Sequence, residues 1–410
     1  ARVRAKEQLL VEARHSRTRL VFSWPSPPNE PPRRGLVLGS QLRRVQDSHY
    51  NRTFAAAVRK ALFRLDGASP ALVLHVGAGV GTQAVVAAAA RPQIADFVVA
   101  CERSATMIDV AQRAARDNSV GERISFVQKD CRNLKAHEDL PRKADVLLLE
   151  CLDTSLLSEG ILHYLQHLRG PFTKPNATII PAAAVVKGML VELRSGEVHG
   201  VDMTMSDAYR WHKEVQPARL KEDDFVQLSE VFDMFVFDFN EAVVEQQVEH
   251  LEVIISRDGI VSAVVFWFDL ILDEEIVIST SPFVPEPQQL EMGQGVVYLQ
   301  PAETRVKRGA TVPLLAAHNG TDFAFTLEEE KLTRKGADCQ LLAHTRFDPR
   351  WEGARANLED QWKKILQSIG SNPKECKQMQ EVVMRYAAQP AVFGIDIGVS
   401  ERCAMTFLSD

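Results

Sequence analysis

The residues best placed to do chemistry are two glutamates, Glu150 and Glu159, in the stretch ADVLLLECLDTSLLSEGIL at 144–162. The apolar run at 146–149 predicts a buried strand that carries Glu150 to its C-terminal end. Open parallel sheets bind their ligands outside that end of the strands. Two carboxylates on one short loop repel each other unless a cation lies between them. A guanidinium suits that gap, because its planar fork meets carboxylates two hydrogen bonds at a time. Spacing alone fits a pair of solvated loop acids equally well. What precedes the stretch shifts the balance toward a site.

The elements that must position these acids begin with ALVLHVGAGVGTQAVVAAAA at 71–90. An apolar strand runs into Gly77, Gly79 and Gly81, and an alanine-rich helix follows. Glycines let the backbone turn tightly and approach a ligand, and a helix N-terminus offers free N–H groups. The next strand, DFVVACE, ends at Glu102, about 20 residues past the glycines, where an acid accepts hydrogen bonds from the two hydroxyls of a ribose. NAD and S-adenosylmethionine both satisfy these features. The continuation favours the second. A helix at 104–118 and a third strand, ISFVQKD, put Asp130 and Cys131 where an adenine edge would lie, and the fourth strand ends at Glu150. Upstream, QLRRVQDSHYNRTFAAAVRKALFRL at 41–65 predicts one helix, with Phe54, Val58, Ala61, Leu62 and Leu65 on one face.

From about residue 181 to 346 the pattern changes to short apolar strands and turns, including FVQLSEVFDMFVFDF, HLEVIISRDGIVSAVVFWFDL and TVPLLAAH. That alternation predicts a β-barrel or sandwich. Residues 198–224 interrupt it as an insertion of helix-like character. The domain reading is a tail at 1–35, a nucleotide-binding domain at 36–180, the β-domain at 181–346 and a helical segment with a closing strand at 347–410. Within the tail, a short helix over the first twenty residues is compatible with the sequence, and the prolines break it near Trp24. His163 and His318 lie among apolar neighbours and read as surface or packed histidines; Trp267 and Phe268 read as β-core.

With 410 residues and 45% hydrophobic composition, the chain can bury substantial cores. Its six cysteines are scattered, with no metal-ligand spacing, so reduced thiols, no metal site and a cytoplasmic or nuclear location are expected. No signal peptide and no membrane span are expected. The formal net charge of −6 argues against direct nucleic-acid binding and is compatible with a basic substrate.

Taken together, the double-glutamate loop ECLDTSLLSEG, the GAGVG turn, Glu102 and the β-domain that follows resemble the protein arginine N-methyltransferase family. Within it, ECLDTSLLSEGIL and DDFVQLSEVFDMFVFDF most resemble the monomethylating, type III group, that of methyltransferase 7. The resemblance implies an α/β fold: a Rossmann-like class I S-adenosylmethionine-dependent methyltransferase domain, then a β-barrel with a helical dimerisation arm at 198–224. It implies S-adenosylmethionine as methyl donor, S-adenosylhomocysteine as product, arginine in basic, Arg-rich protein segments as acceptor, and a homodimer. Glu150 and Glu159 would grip the guanidinium. Gly77, Gly79 and Gly81 would back the methionine part of the donor, Glu102 its ribose, and Asp130 with Cys131 its adenine. Glu291 would be a third acid near the basic acceptor and Gln294 would narrow its pocket; apart from the resemblance, Asp269, next to Trp267 and Phe268, reads as a candidate substrate contact.

Three departures from the family pattern stand out. His75 ends the first strand where the family places an acid. Tyr50 stands where the family has an arginine for the donor's carboxylate, and Arg52, about 200° further round the helix, is no automatic substitute. Glu291, Met292 and Gly293, followed by Gln294, replace a threonine–histidine–tryptophan loop. Two competing readings are a silent partner that binds another arginine methyltransferase, which the first two departures fit, and a nicotinamide dehydrogenase, which gives Glu150 and Glu159 no purpose.

Overall fold

The apolar runs that read as strands in the first part of the chain form one parallel sheet. In this computed structural model the described residues are 39–65, 69–209, 215–285, 288–299 and 304–328, with three strand segments at 10–12, 21–23 and 339–341. The helix at 356–386 and the closing strand expected from sequence lie outside them. The chain divides into two compact units: 1–150 with 170–178, and 151–169 with 179–410.

In the first unit, strands β1 (Leu72–Val76), β2 (Phe97–Glu102), β3 (Ile124–Gln128), β4 (Ala144–Leu149) and β5 (Thr173–Ile180) lie in the order β3-β2-β1-β4-β5. The pairs β1–β2, β1–β4 and β2–β3 are parallel. Every residue of β1 is buried, as expected of a strand covered on both faces. The strand order reverses between β1 and β4. That switch point is where open α/β sheets form a ligand crevice, and it sets Gly77 beside Glu150: the Glu150 backbone N–H donates to the Val76 carbonyl at 3.0 Å.

The single helix expected over 41–65 is in fact two, α1 (Gly39–Gln46) and α2 (Ser48–Arg64). Asp47 divides them. Its side chain caps α2 by accepting from the Tyr50 N–H at 2.9 Å, while Asn51 turns back to donate to the carbonyls of Arg44, Val45 and Asp47. Apolar periodicity is blind to this break, because the face it reads (Phe54, Val58, Ala61 and Leu62) lies entirely in α2. Helices α3 (Thr82–Ala90) and α4 (Ala105–Asp117) follow β1 and β2. Ser104 caps α4, whose buried face is Met107, Ile108, Ala111 and Ala115.

The second unit opens with 151–169, which includes α5 (Ile161–Leu168), and continues as antiparallel sheet. Strand β6 (Ala183–Glu192) pairs with β7 (Phe232–Asp238) and with β9 (Ala263–Ile271), and β9 pairs with β10 (Gln294–Tyr298). Alternate residues Met189, Val191, Ala263, Val265, Trp267 and Val296 share one face and form a core with Phe225. A three-stranded sheet joins β8 (Gln247–Ile254), β11 (Thr311–His318) and β12 (Phe323–Leu327), and a second joins short segments at 259–261, 304–306 and 339–341. His318 is a packed residue, ringed by Phe235, Phe237 and Phe323, and burial lowers its pKa.

In the insertion at 198–224, read as of mixed, helix-like character, the described helical residues are 3₁₀ turns at Thr204–Tyr209 and Glu222–Asp224, and the described residues contain no α-helix. A two-residue hairpin turns at Gly200, Asp202 folds back onto the Thr204 N–H and hydroxyl, and a 3₁₀ turn covers Thr204–Tyr209. Residues Gln216–Ala218 then join β10 as an edge strand. Asp and Thr at 202–204 compete with helical hydrogen bonding by bonding locally, which explains the outcome. Near the N-terminus, 10–12 and 21–23 pair as antiparallel strands, not as part of a helix. Among the described residues no helix is long and apolar enough to cross a membrane.

Candidate active site

Between β1 and α3 the chain makes a turn in which Gly77, Gly79 and Gly81 all have positive φ. Gly81 requires glycine twice over: its φ is +81°, and an added Cβ would lie 2.8 Å from the Ala111 Cβ. Gly77 and Ala78 donate to the Cys101 carbonyl, and the Gly79 N–H donates to Glu102 Oε2 at 3.0 Å. Glu102 Oε1 accepts from the Ser104 N–H at 2.8 Å. The turn and the acid expected to serve one ligand are therefore directly joined. An ionised carboxylate has about four acceptor positions, so Glu102 keeps capacity on both oxygens for hydroxyl donors.

Asp130 begins the short turn at 131–133 and is bound by Arg132 at 2.9 and 2.6 Å, which holds its carboxyl below the usual range. Cys131 is buried behind it. Nearby Cys101 is a different kind of thiol from a nucleophile: burial, with Glu102, pushes it up to about 12, so it stays protonated.

At the switch point, Glu150 is 11% exposed and both of its carboxylate oxygens are engaged. Tyr50, from α2, donates its hydroxyl to Oε1 at 3.0 Å, and His75 Nε2, from β1, lies 2.9 Å from Oε2. Arg44, from α1, donates to the Tyr50 hydroxyl at 3.1 Å and stands 5.0 Å from the centre of its ring. Burial alone would raise the Glu150 carboxyl. The His75 hydrogen bond and charge, the Arg44 charge and the Tyr50 hydroxyl outweigh it and hold the group below the ordinary value. An ionised carboxylate has no proton to give, so His75 Nε2 is the donor. Burial, opposed by Arg44 and assisted by Glu150, pushes the Tyr50 phenol well up, and it stays a donor too. Arg52 takes no part in this network; its Nε donates to the Ser48 carbonyl on the exposed side of α2.

The convergence of Tyr50 and His75 on Glu150 was not legible from spacing. Each registers in the sequence only as an isolated departure from a family pattern, 100 and 75 positions from its partner.

Glu159 belongs to the second unit, exposed, immediately before Gly160, whose φ of +89° starts α5. Elsewhere in that unit Asp269 accepts from the Ser279 hydroxyl at 2.5 Å, with Lys187 at 3.8 Å. Glu291 pairs with Arg219 at 3.4 Å. Gln294 is buried and spends both ends on the backbone, accepting from the Leu220 N–H and donating to the Thr280 carbonyl. A polar cavity of about 400 Å³ lies here, between Arg219–Lys221, Thr280, Leu290 and Gly293. Gly293 closes it tightly, since an added Cβ would sit 1.9 Å from the Ala218 carbonyl oxygen.

The sheet order 3-2-1-4-5, with a glycine turn after its first strand and an acid after its second, is Rossmann-like, and residues 73–168 match the family model described as a methyltransferase domain. More particularly, the chain resembles protein arginine N-methyltransferase 7. It is 29% identical to that protein of Oryza sativa subsp. japonica over 328 residues, 71% of this chain and 45% of the rice protein. It is 28% identical to that of Aedes aegypti over 349 residues, 73% of this chain and 50% of the mosquito protein. The chain thus spans about half the length of the curated relatives it matches. Among solved structures, the Trypanosoma brucei PRMT1 enzyme–prozyme heterotetrameric complex with AdoHcy shares the fold, with a TM-score of 0.57, 19% identity, and coverage of 76% of this chain and 95% of that one.

Proposed function

We propose that this chain is an S-adenosylmethionine-dependent protein-arginine N-methyltransferase that adds one methyl group to a guanidinium nitrogen. The observation that carries this reading is an ionised glutamate, Glu150, only 11% exposed at the switch point of the parallel sheet, beside a glycine turn joined to Glu102. The names of the relatives agree with it. Bound S-adenosylmethionine supplies a methyl group on a sulfonium: its S–CH3 bond breaks as the N–CH3 bond forms, S-adenosylhomocysteine leaves, and the methylated nitrogen gives up one proton to solvent. The glycine turn and Glu102 hold the donor, Glu102 through its remaining lone pairs, with Asp130 and Cys131 at the adenine.

Glu150 and Glu159 then take the acceptor. Guanidinium is a poor nucleophile because its lone pairs are delocalised. Carboxylates hydrogen-bonded to two of its nitrogens draw positive charge toward themselves and leave electron density on the third. They also fix the attack geometry, an effect worth up to ~7–11 kcal/mol in favourable intramolecular systems. Asp269 and Glu291 add negative charge for a basic peptide. Gln294, tied at both ends, serves as a rigid wall and not as a mobile contact.

Incubation with isotopically labelled donor and a peptide containing one arginine, followed by mass spectrometry, tests this. The expected product carries one methyl group even after exhaustive reaction. A dimethylated peptide would refute the single-methyl reading, and an unmodified one would favour the silent-partner reading. A specific observation supports that second reading: Tyr50 and His75 already occupy the carboxylate meant for the substrate. Donor titration calorimetry separates the two, because a silent partner binds the donor weakly or not at all.

We also propose a homodimer formed through the insertion. Val198, Val201, Met203 and Met205 are all exposed there, with Met205 at 70%, an apolar group that solvent alone does not stabilise. Light scattering at micromolar concentration is expected to give a dimer, and deletion of 198–209 a monomer of reduced activity. A wild-type monomer would sink the proposal.

A further inference from the structure

We propose that Tyr50 and His75 are paired positioning residues that lock the Glu150 carboxylate in the orientation needed to receive a guanidinium fork; this rests on the reading of Glu150 as an acceptor-binding carboxylate. The two donors come from different elements, α2 and β1, and each takes a different oxygen, at 3.0 and 2.9 Å. Both side chains are buried, Tyr50 at 1% exposure and His75 at 0%. Tyr50 is itself fixed by Phe54, with ring centroids 5.5 Å apart, and by Arg44, which donates to its hydroxyl and stands over its ring. The carboxylate therefore has little freedom to rotate.

The count of lone pairs favours a clamp over a blockade. Each carboxylate oxygen accepts two hydrogen bonds, and Tyr50 and His75 use one on each. One acceptor position remains on both oxygens, which is what a bidentate guanidinium requires. Two donors on a single oxygen would have left an uneven pair. The two departures from the family pattern thus belong together. An ionised acid at position 75 could give Glu150 no hydrogen bond. Histidine there donates instead, and a tyrosine on α2 completes the pair.

Substitutions at the three positions test this, with folding checked by thermal melts. Tyr50→Phe keeps the ring packed on Phe54 and removes only the hydroxyl. His75→Leu removes the second donor, and His75→Gln returns an amide N–H near the position of Nε2. Tyr50→Phe and His75→Leu are each expected to lower kcat roughly 10-fold or more, the usual effect of losing a hydrogen bond to a charged group. Calorimetric affinity for S-adenosylmethionine should hold steady, and His75→Gln should recover most of the loss. In a Glu150→Gln background, Tyr50→Phe should add less than about 2-fold, because residues acting through one group are not additive.

A second readout needs no turnover. With Glu150 carrying a labelled carboxyl carbon, an NMR titration should show it protonating at higher pH in Tyr50→Phe and in His75→Leu than in the parent. The charged and titratable groups facing it are His75, Tyr50 and Arg44. Full activity in Tyr50→Phe and His75→Leu, with Glu150→Gln crippled, would overturn the clamp and leave the methyltransferase reading standing. An unshifted carboxyl titration in both variants would overturn it as well. Full activity in Glu150→Gln would bring down the carboxylate mechanism and the clamp together.

Discussion

Glu150→Gln and Glu159→Gln are each expected to slow methyl transfer by roughly 10²–10³, the usual consequence of deleting one preorganised electrostatic group, or ~2.7–4 kcal/mol in the barrier. Glutamine preserves size and one acceptor oxygen, but it removes the charge that polarises the guanidinium. At position 150 it does more: its amide nitrogen donates, so either the Tyr50 hydroxyl or His75 Nε2 would have to change from donor to acceptor, reversing one of the two contacts seen at 3.0 and 2.9 Å. Donor affinity should be nearly unchanged in both variants, since the donor is assigned to the glycine turn and Glu102. Glu102→Ala should do the reverse. It removes the acceptor for the Gly79 and Ser104 N–H groups and for the ribose, and should weaken S-adenosylmethionine binding by on the order of 1–3 kcal/mol. Single-turnover kinetics paired with calorimetry distinguishes the two classes. Near-normal turnover in either glutamine variant rules out the carboxylate mechanism.

The largest effect on stability is expected from the buried pair Arg91–Asp96, at the loop that leads into β2. Arg91 is 3% exposed and Asp96 0%. The guanidinium grips both carboxylate oxygens, Nε to Oδ2 at 2.7 Å and Nη2 to Oδ1 at 2.6 Å. Asp96 Oδ1 also accepts from the Ala71 N–H at 2.8 Å, which ties the loop to the start of β1. Arg91→Leu would leave that carboxylate buried without its counter-ion, and such losses cost about 3–5 kcal/mol. Asp96→Leu, which strands the guanidinium and frees the Ala71 N–H, should cost a similar amount. The double substitution should cost less than the two singles combined, because no unpaired charge remains. Denaturant midpoints for the three variants check this. A loss below about 1 kcal/mol in both singles would show that water reaches the pair.

The sequence by itself determined the sheet and its glycine turn. LVLHV, FVVACE and ADVLLL are apolar at all but one position each, and such runs are stable only where both faces of a strand are covered, so they announce a parallel sheet without any help from distant residues. Gly81 could be read in the same way, because its left-handed backbone is a local demand. Glu102 and Glu150 were legible as strand-end acids for the same local reason. Only the tertiary structure decided the break at Asp47, where the cap is one side chain in a polar stretch that carries no apolar period. It also decided the fate of Gln294, a loop residue by sequence that is held by Leu220 and Thr280 from separate segments. The environment of Glu150 belongs to the same class. Tyr50, His75 and Arg44 meet there because helix and strand pack together, and a contact between residues 75 or 100 positions apart leaves no periodicity for a single sequence to display.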